Sequence, residues 1–341
     1  MSKLSIIIVT YNSADYIERC LQSVFKAAGK LDYQVIVVDN SSSDVTLDIV
    51  REFKNIKVLK NNKNLGFAKA CNQAIEQAES EFVILLNPDV YVTPDFIQNM
   101  IIKAQEDERI GSVSGKLYFA KTNGEFTNIL YSTGHIFFKT CHSVNRGYGE
   151  VDNGQYNNVQ DIFGVCGAAP LYRRAMLEDV KINDEYFDAN FFLYREDEDL
   201  DWRAKLRGWH AVFEPRAVAY HVASEMRNKP SLNNKENKIR NRHLLLFKNL
   251  SVTNYFILMP YLIFYEIISF LVHPLAYFVA MFKSLILLIN FPAYYAKRKI
   301  IMKRRLVIDR EVRQKLLKIN LHEIKNFFFR QRLKKLGSIN T

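Results

Sequence analysis

The sequence predicts an α/β fold, with a mixed, mostly parallel sheet flanked by helices and a C-terminal tail of apolar and basic helices. Two observations lead to this prediction. Strand-like and helix-like segments alternate over the first hundred residues, an order typical of a parallel sheet that is covered on both faces. Beyond about residue 255 the chain is nearly free of charge and then becomes strongly basic. The second observation indicates a tail that is distinct from the α/β part.

The first strand is the continuous apolar run at residues 5–9, because a strand buried on both faces has no polar alternation. A helix follows at residues 14–27, where Ile17, Leu21 and Val24 recur at helical spacing and Gly29 ends the helix. The same signals predict strands at 35–38, 56–59 and 82–86, and helices at 44–53 and 66–78. Residues 110–165 are typical of β-structure, and residues 170–250 are largely helical in pattern.

The charge is divided unevenly along the chain. Residues 1–226 carry 24 Lys and Arg against 31 Asp and Glu, whereas residues 227–341 carry 23 against 5. A nucleic-acid-binding protein would be more uniformly basic, so we expect no nucleic acid partner. The division favours a soluble front domain tethered to an anionic surface. The four cysteines are scattered, which predicts reduced thiols and neither a disulfide framework nor a zinc ribbon.

Residues 255–296 contain only two charged side chains, Glu266 and Lys283. Basic clusters follow at 297–299 and 303–305, and such clusters are attracted to the anionic cytoplasmic face of a membrane. Spanning segments, a re-entrant hairpin and helices that lie on the membrane all stay open, although two full spans fit poorly because each would carry a charge. The alternative is a buried hydrophobic helical subdomain with a solvated basic face.

The sequence opens without the pattern of a signal peptide, because residues 1–3 run directly into the first predicted strand. We therefore expect the front domain to lie in the cytosol and the tail to hold it at the cytoplasmic face of the cell membrane.

Polar side chains follow the predicted strands where each strand ends. Thr10, Tyr11 and Asn12 follow the first strand, Asp39 ends the second, and Asp89 follows the fourth. Ligands of parallel sheets bind beyond these carboxyl ends. Two carboxylates at one edge can bind a nucleotide and its divalent metal. Alternatively, the segments that contain Asp39 and Asp89 are turns that lead into capped helices.

Four stretches in this order resemble the inverting family 2 glycosyltransferases, in their rhamnosyltransferase-like branch: IIIVTYNSADYIERCLQSV, VIVVDNSSSD, NKNLGFAKACNQAI and FVILLNPDV. The resemblance implies a GT-A fold, a Rossmann-like arrangement that binds a nucleotide sugar. It places Asp89 as the main ligand of Mg²⁺ or Mn²⁺, because Asn87 stands at the first position of the family's Asp-x-Asp motif. The residues implied to bind the donor are Thr10, Tyr11, Asn12, Asp39, Asn64, Gly66, Lys69 and Asn87.

Further stretches extend the resemblance to about residue 250. FFLYREDEDLDWRAKLRGW resembles the family's Glu-Asp-x-Asp-Leu-x-x-Arg segment and implies that Asp197 is the catalytic base. AVAYHVASEM implies that His221 is a further ligand of the metal or diphosphate. FGVCGAAPLYRRAML resembles the acceptor-side loop, and RNRHLLLFKN at 240–249 also occurs in this branch. The implied acceptor-side residues are Gly167 and Ala168, which leave room for a sugar, and Glu196 and Asp199.

The residues alone are compatible with other interpretations of the acidic run and of His221. Four acids in a row, residues 196–199, repel one another, which raises some of their pKa values and suits a base. They are equally typical of a solvated helix N-terminus, where the helix dipole favours acidic side chains. A lone histidine after a strand, such as His221, is more often structural than a ligand.

The composition, together with the resemblance, predicts a domain organisation, with a boundary near residues 226–235, where Asn, Lys, Pro and Ser cluster. A catalytic domain extends over residues 1–226, with a nucleotide-binding half at 1–105 and an acceptor-side half at 106–226. A connecting helix at 227–254 follows. The tail then consists of apolar membrane-associated helices at 255–296 and a basic helical segment at 297–341.

The implied reaction is a single displacement with inversion, in bacterial cell-surface polysaccharide synthesis. The implied donor is a dTDP- or UDP-linked sugar, with dTDP-L-rhamnose as the first choice, and the acceptor is a lipid-linked or polysaccharide glycan. Two alternatives remain, a nucleotidyltransferase of related fold and a non-catalytic membrane adaptor. The former normally has a glycine-rich, basic triphosphate loop, which VTYNSADY lacks. The intact acidic segment argues against the latter. The sequence does not predict an oligomeric state.

Overall fold

The computed structural model describes residues 2–123, 125–223 and 232–318. The strands are β1 (Ser2–Thr10), β2 (Tyr33–Asp39), β3 (Ile56–Lys60), β4 (Ser80–Leu86), β5 (Val90–Val92), β6 (Ile110–Ala120), β7 (Phe126–Ser132), β8 (His135–Phe137), β9 (Ser143–Asn145), β10 (Gln160–Ile162), β11 (Pro170–Arg173) and β12 (His210–His221). The helices are α1 (Ala14–Ala28), α2 (Thr46–Glu52), α3 (Phe67–Glu76), α4 (Phe96–Gln105), α5 (Arg174–Val180), α6 (Glu196–Leu206), α7 (Leu232–Asn249), α8 (Val252–Val272), α9 (Pro274–Ile289), α10 (Phe291–Arg304) and α11 (Asp309–Gln314).

The main sheet of the described chain has the order β10-β12-β6-β11-β4-β1-β2-β3, with β5 added on β12 and β7 on β6. Strands β3, β2, β1 and β4 are parallel. Strand β11 is antiparallel to both β4 and β6, and β12 runs parallel to β6. The predicted mixed α/β sheet is therefore confirmed. Its parallel part corresponds to the strands predicted from the first hundred residues.

Both faces of the parallel strands are buried, as the continuous apolar runs predict. In β1, Ile6 and Ile8 pack into one core cluster, while Ile7 packs into a second cluster on the opposite face. This alternation follows from the two-residue period of a strand. Helices therefore cover both faces, and the loops at the carboxyl edge are the part of the sheet left open to a ligand.

Helix α7 joins the acidic helix α6 to the tail. Leu244 and Leu245 of α7 share a third core cluster with Phe191 and Trp202, and this cluster also includes Leu258, Leu262, Tyr294 and Ile301 from the tail helices. Removing the residues after α7 would therefore open a packed core. The predicted boundary at residue 226 lies outside the described residues, and the predicted division into domains stays a prediction.

Helices α8 and α9 present large apolar side chains to the outside. Phe256 and Leu271 of α8 are each 66% exposed, and Phe282 of α9 is 74% exposed. By length and composition α8 could cross a membrane, and only 17% of its most apolar window is buried within the protein. A buried hydrophobic subdomain, the alternative open at the sequence level, does not describe these helices.

The basic cluster 297–305 is only partly available to an outside partner. Lys297 is buried and its Nζ lies 2.8 Å from carboxylate oxygens of both Asp188 and Glu185. Arg298 and Arg304 donate hydrogen bonds to main-chain carbonyls of the protein. The expectation that the whole cluster faces an anionic surface is wrong for Lys297, because folding uses its charge to pair two internal carboxylates. Within this cluster, the exposed lysines are Lys299 and Lys303.

Candidate active site

The carboxyl ends of β1 and β2 meet at a hydrogen-bonded pair. Asp39 is fully buried, accepts a hydrogen bond from Thr10 Oγ1 at 3.2 Å, and accepts another from the backbone N–H of Ser42 at 3.1 Å. A carboxylate has about four acceptor positions, so these two bonds leave capacity for a ligand. The parallel register of β1 and β2 brings these two residues together, as the sequence predicts.

Asn12 closes the same edge by linking two loops. Its N–H donates to Ser42 Oγ at 2.9 Å, and its Oδ1 accepts from the N–H of Ser43 at 2.8 Å. Asn12 has a left-handed backbone with φ of 50°, a conformation that asparagine tolerates better than most residues. The neighbouring Tyr11 is 52% exposed. The structure thus gives Asn12 a positioning role and leaves Tyr11 open to a ligand.

The stretch at 61–66 is held against β2. Asn64 Oδ1 accepts from the N–H of Gly66 at 2.9 Å, and Asn40 bonds both Leu65 N–H and Gly66 carbonyl. Gly66 has φ of 84°, and a Cβ there would lie 2.5 Å from the Phe192 ring. Glycine is therefore required by both the backbone conformation and the close approach. Lys69, in the first turn of α3, is exposed.

Asp89 and His221 come together from distant parts of the chain. His221 Nε2 lies 3.1 Å from Asp89 Oδ1, and the N–H of Val222 donates to the Asp89 carbonyl at 3.0 Å. The pairing of β5 with the end of β12 brings them into contact. The structure thus places these two residues side by side, and their role as metal ligands stays a prediction.

This pair fits a divalent cation that shares its coordination with a substrate. Among the described residues, no group of three or more His, Cys, Asp or Glu side chains is arranged to hold a metal alone. Mg²⁺ commonly binds one or two carboxylates together with substrate phosphates and water. A cation between the two side chains would replace the contact of His221 Nε2 with Asp89 Oδ1, so that an imidazole nitrogen and a carboxylate oxygen reach the same ion. One carboxylate and one imidazole would bind the cation with modest affinity, and the diphosphate of a substrate would supply further ligands.

A short main-chain path links this pair to the acidic segment. The N–H of Asn87 donates to the carbonyl of Ala168 at 2.9 Å, and the N–H of Gly167 donates to Asp197 Oδ2 at 3.0 Å. A Cβ on Gly167 would lie 2.7 Å from that carboxylate oxygen. The space beside Gly167 is therefore occupied by the carboxylate of Asp197. A glycine is needed here for that close approach, and not, as predicted, to leave room for a sugar.

Two members of the acidic run, Asp197 and Glu198, are partly exposed, and Glu198 pairs with Arg195. The side chain of Asp197 is 18% exposed, and its Oδ1 accepts from the N–H of Glu198 at 2.9 Å. Burial raises the pKa of Asp197, and the neighbouring His135 opposes this rise. A partly exposed carboxylate with a raised pKa suits a general base.

Asp199 has a different environment, although it follows Asp197 by two residues. It is fully buried and accepts hydrogen bonds from Lys248 at 2.9 Å, Arg203 at 3.0 Å and Asn249 at 2.8 Å. Burial raises its pKa, but the charges of Lys248 and Arg203 outweigh burial and lower it. These contacts favour a structural role over the predicted acceptor-side role. Glu196 is likewise buried, at the start of α6.

Several residues around Asp197 were not predicted from the sequence. His135 Nδ1 lies 3.2 Å from Asp201 Oδ2, and His135 Nε2 lies 3.9 Å from Asp197 Oδ2. Asn241 of α7 donates to the carbonyls of Phe191, Leu193 and Tyr194, the loop that leads into α6. The stretch RNRHLLLFKN was the available signal for α7, since Asn241, Lys248 and Asn249 all lie within it. No local pattern marks His135.

The fold is the GT-A fold of the glycosyltransferases. The chain belongs to glycosyl transferase family 2, whose family model matches residues 5–181. The family predicted from the motifs is confirmed, whereas the rhamnosyltransferase-like branch stays a prediction. Family membership favours a sugar transferase over the nucleotidyltransferase alternative.

Known relatives agree with this assignment. Poly-beta-1,6-N-acetyl-D-glucosamine synthase of Staphylococcus epidermidis is 26% identical over 231 residues, covering 65% of this chain and 50% of that protein. The dolichyl N-acetyl-alpha-D-glucosaminyl phosphate 3-beta-D-2,3-diacetamido-2,3-dideoxy-beta-D-glucuronosyltransferase of Methanococcus voltae is 32% identical over 146 residues, covering 39% and 45% of the two chains. The chain spans about half the length of these curated relatives.

A solved structure shares the fold. The mannosyltransferase PcManGT of Pyrobaculum calidifontis, in complex with GDP-Man and Mn²⁺, has a TM-score of 0.53 and 15% sequence identity, and the match covers 88% of this chain and 85% of that one. At this identity the likeness concerns the fold alone.

Proposed function

We propose that the protein transfers a sugar from a nucleotide-sugar donor to a hydroxyl group of a glycan acceptor, with inversion at the anomeric carbon. The observation that carries the proposal is the path from Asp197 through Gly167 and Ala168 to Asn87, beside the Asp89–His221 pair. These contacts support the proposal because a single displacement needs its base and the ligands of its diphosphate close together.

In this reaction Asp197 accepts the proton of the acceptor hydroxyl as that oxygen attacks the anomeric carbon. The bond between that carbon and the diphosphate breaks, and its electron pair leaves with the nucleoside diphosphate. A Mg²⁺ or Mn²⁺ ion bound by Asp89 and His221 would neutralise the charge that develops on the diphosphate. The loops that carry Thr10, Tyr11 and Asp39 hold the nucleotide, and the 64–69 segment closes the donor side.

The donor that we propose to test first is dTDP-L-rhamnose, because of the sequence resemblance, followed by UDP-linked sugars. The experiment incubates the protein with each nucleotide sugar and Mn²⁺ and measures the released nucleoside diphosphate. Pyrophosphate released from a nucleoside triphosphate would instead support the nucleotidyltransferase alternative. Donor binding without release, with every acceptor offered, would support a non-catalytic adaptor.

We expect Asp39 and Asp89 to act on different parts of the donor. Asp89→Asn should weaken binding of a nucleoside diphosphate only when Mn²⁺ is present, because its proposed role is in metal binding. Asp39→Asn should weaken binding with or without Mn²⁺, because it lies at the end of β2 beside Thr10, and β1 separates β2 from β4, the strand before Asp89. Calorimetry with UDP and dTDP, with and without Mn²⁺, measures both. Equal losses for both variants under both conditions would contradict this division of roles.

We further propose that helices α8 and α9 hold the enzyme at the cytoplasmic face of the membrane, where it meets a lipid-linked glycan. The exposed apolar side chains of these helices, beside exposed lysines of α10, support this proposal. The name of the Methanococcus voltae relative includes a dolichyl phosphate-linked sugar. A growing polysaccharide, as in the name of the Staphylococcus epidermidis relative, is the second acceptor class to test.

Substitutions on this apolar surface test the proposal without opening the core shared with α7. Phe256→Glu together with Phe282→Glu should lower binding to vesicles with anionic lipids by at least roughly tenfold, because burying one such side chain contributes about 1.5–3 kcal/mol. Val45→Glu, at an exposed apolar position on the front domain, is the matched control. Cosedimentation measures binding. Unchanged vesicle binding in the double variant would contradict the proposal.

A further inference from the structure

A histidine lies behind the proposed base and links it to a second carboxylate. His135 begins β8, where its N–H donates to the carbonyl of Gly164 at 2.8 Å and its carbonyl accepts from Phe163 at 3.2 Å. These main-chain hydrogen bonds hold the backbone that carries the imidazole ring. Asp197 and Asp201 are four residues apart on α6 and thus lie on one face of the helix. The imidazole ring lies between their carboxylates.

The side chains of Asp197, His135 and Asp201 differ in how far they are buried, and this difference indicates different roles. Asp197 is 18% exposed, whereas the side chains of His135 and Asp201 are 8% and 2% exposed. An acceptor can therefore reach Asp197, while the other two are shielded behind it. Both oxygens of Asp201 lie 3.2 Å from the N–H of Val165, and a Cβ on Gly164 would overlap Asp201. Asp201 is thereby fixed against the backbone and holds the ring in turn.

We propose that His135, anchored by Asp201, places a positive charge beside the carboxylate of Asp197 and so holds this base ionised and oriented for the acceptor. This inference rests on the proposed function, because it takes Asp197 to be the base. His135 is a positioning residue in this account, since it acts through Asp197 and does not contact the substrate.

The electrostatics of the cluster support the proposal. Burial alone would lower the pKa of His135, but its hydrogen bonds with Asp201 and Cys166 and the charge of Asp197 outweigh burial and raise that pKa well above its usual value. Burial raises the pKa of Asp201 to about 7, against the opposing effect of His135. The other titratable groups that face this cluster are Tyr131 of β7, Tyr172 of β11, and Glu198 and Lys205 of α6.

The pH dependence of kcat/KM distinguishes this role from a merely structural one. In His135→Gln the acidic limb of the profile should move up by about one pH unit or more, because the cation that favours ionised Asp197 is gone. On the acidic side of the profile the rate should then fall by up to about tenfold for each pH unit of that shift, and on the alkaline side it should recover toward wild type. His210→Gln is the matched control, since His210 is an exposed histidine 3.9 Å from Asp161. A loss that is the same at every pH would overturn the proposal.

A second measurement does not depend on turnover. NMR of histidine rings, with His135 assigned by comparison with His135→Gln, should find that this ring titrates above the usual histidine value of about 6.5. Asp201→Asn keeps an oxygen acceptor for the ring but removes the charge, so it should lower that titration point. Titration of His135 near 6.5 in both proteins would contradict the proposal. Asp197→Asn separates the two claims: if that variant stays active, the assigned base is wrong, whereas loss of activity with an unchanged His135→Gln profile rejects this inference alone.

Discussion

Asp197→Asn is expected to lower kcat by about 10²–10⁴, the usual contribution of a general base. The affinity for the nucleoside diphosphate should stay nearly unchanged, because Asp197 acts on the acceptor hydroxyl and the donor loops lie elsewhere. The amide keeps the size of the side chain and one oxygen acceptor for either Gly167 N–H or Glu198 N–H, so the local fold should largely persist. Steady-state transfer assays and calorimetry with nucleoside diphosphate measure the two effects.

Glu198→Gln serves as the matched control, because Glu198 is the adjacent acid and its side chain faces Arg195 at 2.6 Å. We expect it to retain most of the activity. If Asp197→Asn kept more than about a tenth of wild-type activity, the base would have to be another group. Glu196 would be the next candidate, since the carboxylate of Asp199 is already bonded to Lys248, Arg203 and Asn249.

The parallel half of the sheet could be predicted because its signal is local. Apolar runs mark strands buried on both faces, and the polar residues after each run mark the edge where ligands bind. Asp39 and Asp89 were found in this way. His221 needed the resemblance to a family, because its neighbour Asp89 lies 132 residues away in the chain.

The acidic run could not be resolved into roles from the sequence. Asp197 and Asp199 look equivalent in a string of four acids, and what separates them is the side chain that each one meets in the fold. Lys248, about fifty residues later, bonds Asp199, whereas His135, about sixty residues earlier, lies beside Asp197. Pairings of this kind arise from the packing of distant elements, and a local pattern carries no trace of them.

For the tail, composition alone likewise could not predict how the side chains pack. Its apolar character was evident, but the sequence could not tell exposed helices from a buried subdomain. Nor could it foresee that Lys297 would be used inside the protein to pair Asp188 and Glu185. A basic cluster is predicted to lie on the surface unless the positions of the carboxylates that pair with it are known.

Lys248→Met is expected to lower the free energy of unfolding by about 3–5 kcal/mol, because it leaves buried carboxylates short of a partner. Lys248 is fully buried and its Nζ lies 2.5 Å from Asp188 and 2.9 Å from Asp199. Methionine replaces most of the volume, so the loss reports charge rather than a cavity. Lys297 and Arg203 still contact the two carboxylates, which favours the lower part of this range.

Denaturation in urea measures this difference, and Arg51→Met is the matched control. Arg51 pairs with Asp48 at 3.1 Å on the surface, where an ion pair contributes about 0–1 kcal/mol. A Lys248→Met protein as stable as the control would contradict the view that this network stabilises the segment before α6 and the helix itself.

The deficit of Lys248→Met should also depend on pH with a definite sign. Burial raises the pKa values of Asp188 and Asp199, but Lys248 outweighs burial and both pKa values lie below the ordinary range. A carboxylate with a lowered pKa in the folded state adds stability that is fully present above its unfolded pKa of about 4 and is lost as the pH falls further. The difference from wild type should therefore be largest near pH 7 and shrink below about pH 4. A deficit of the same size at every pH would mean that packing, and not the ion pairs, is what Lys248 contributes.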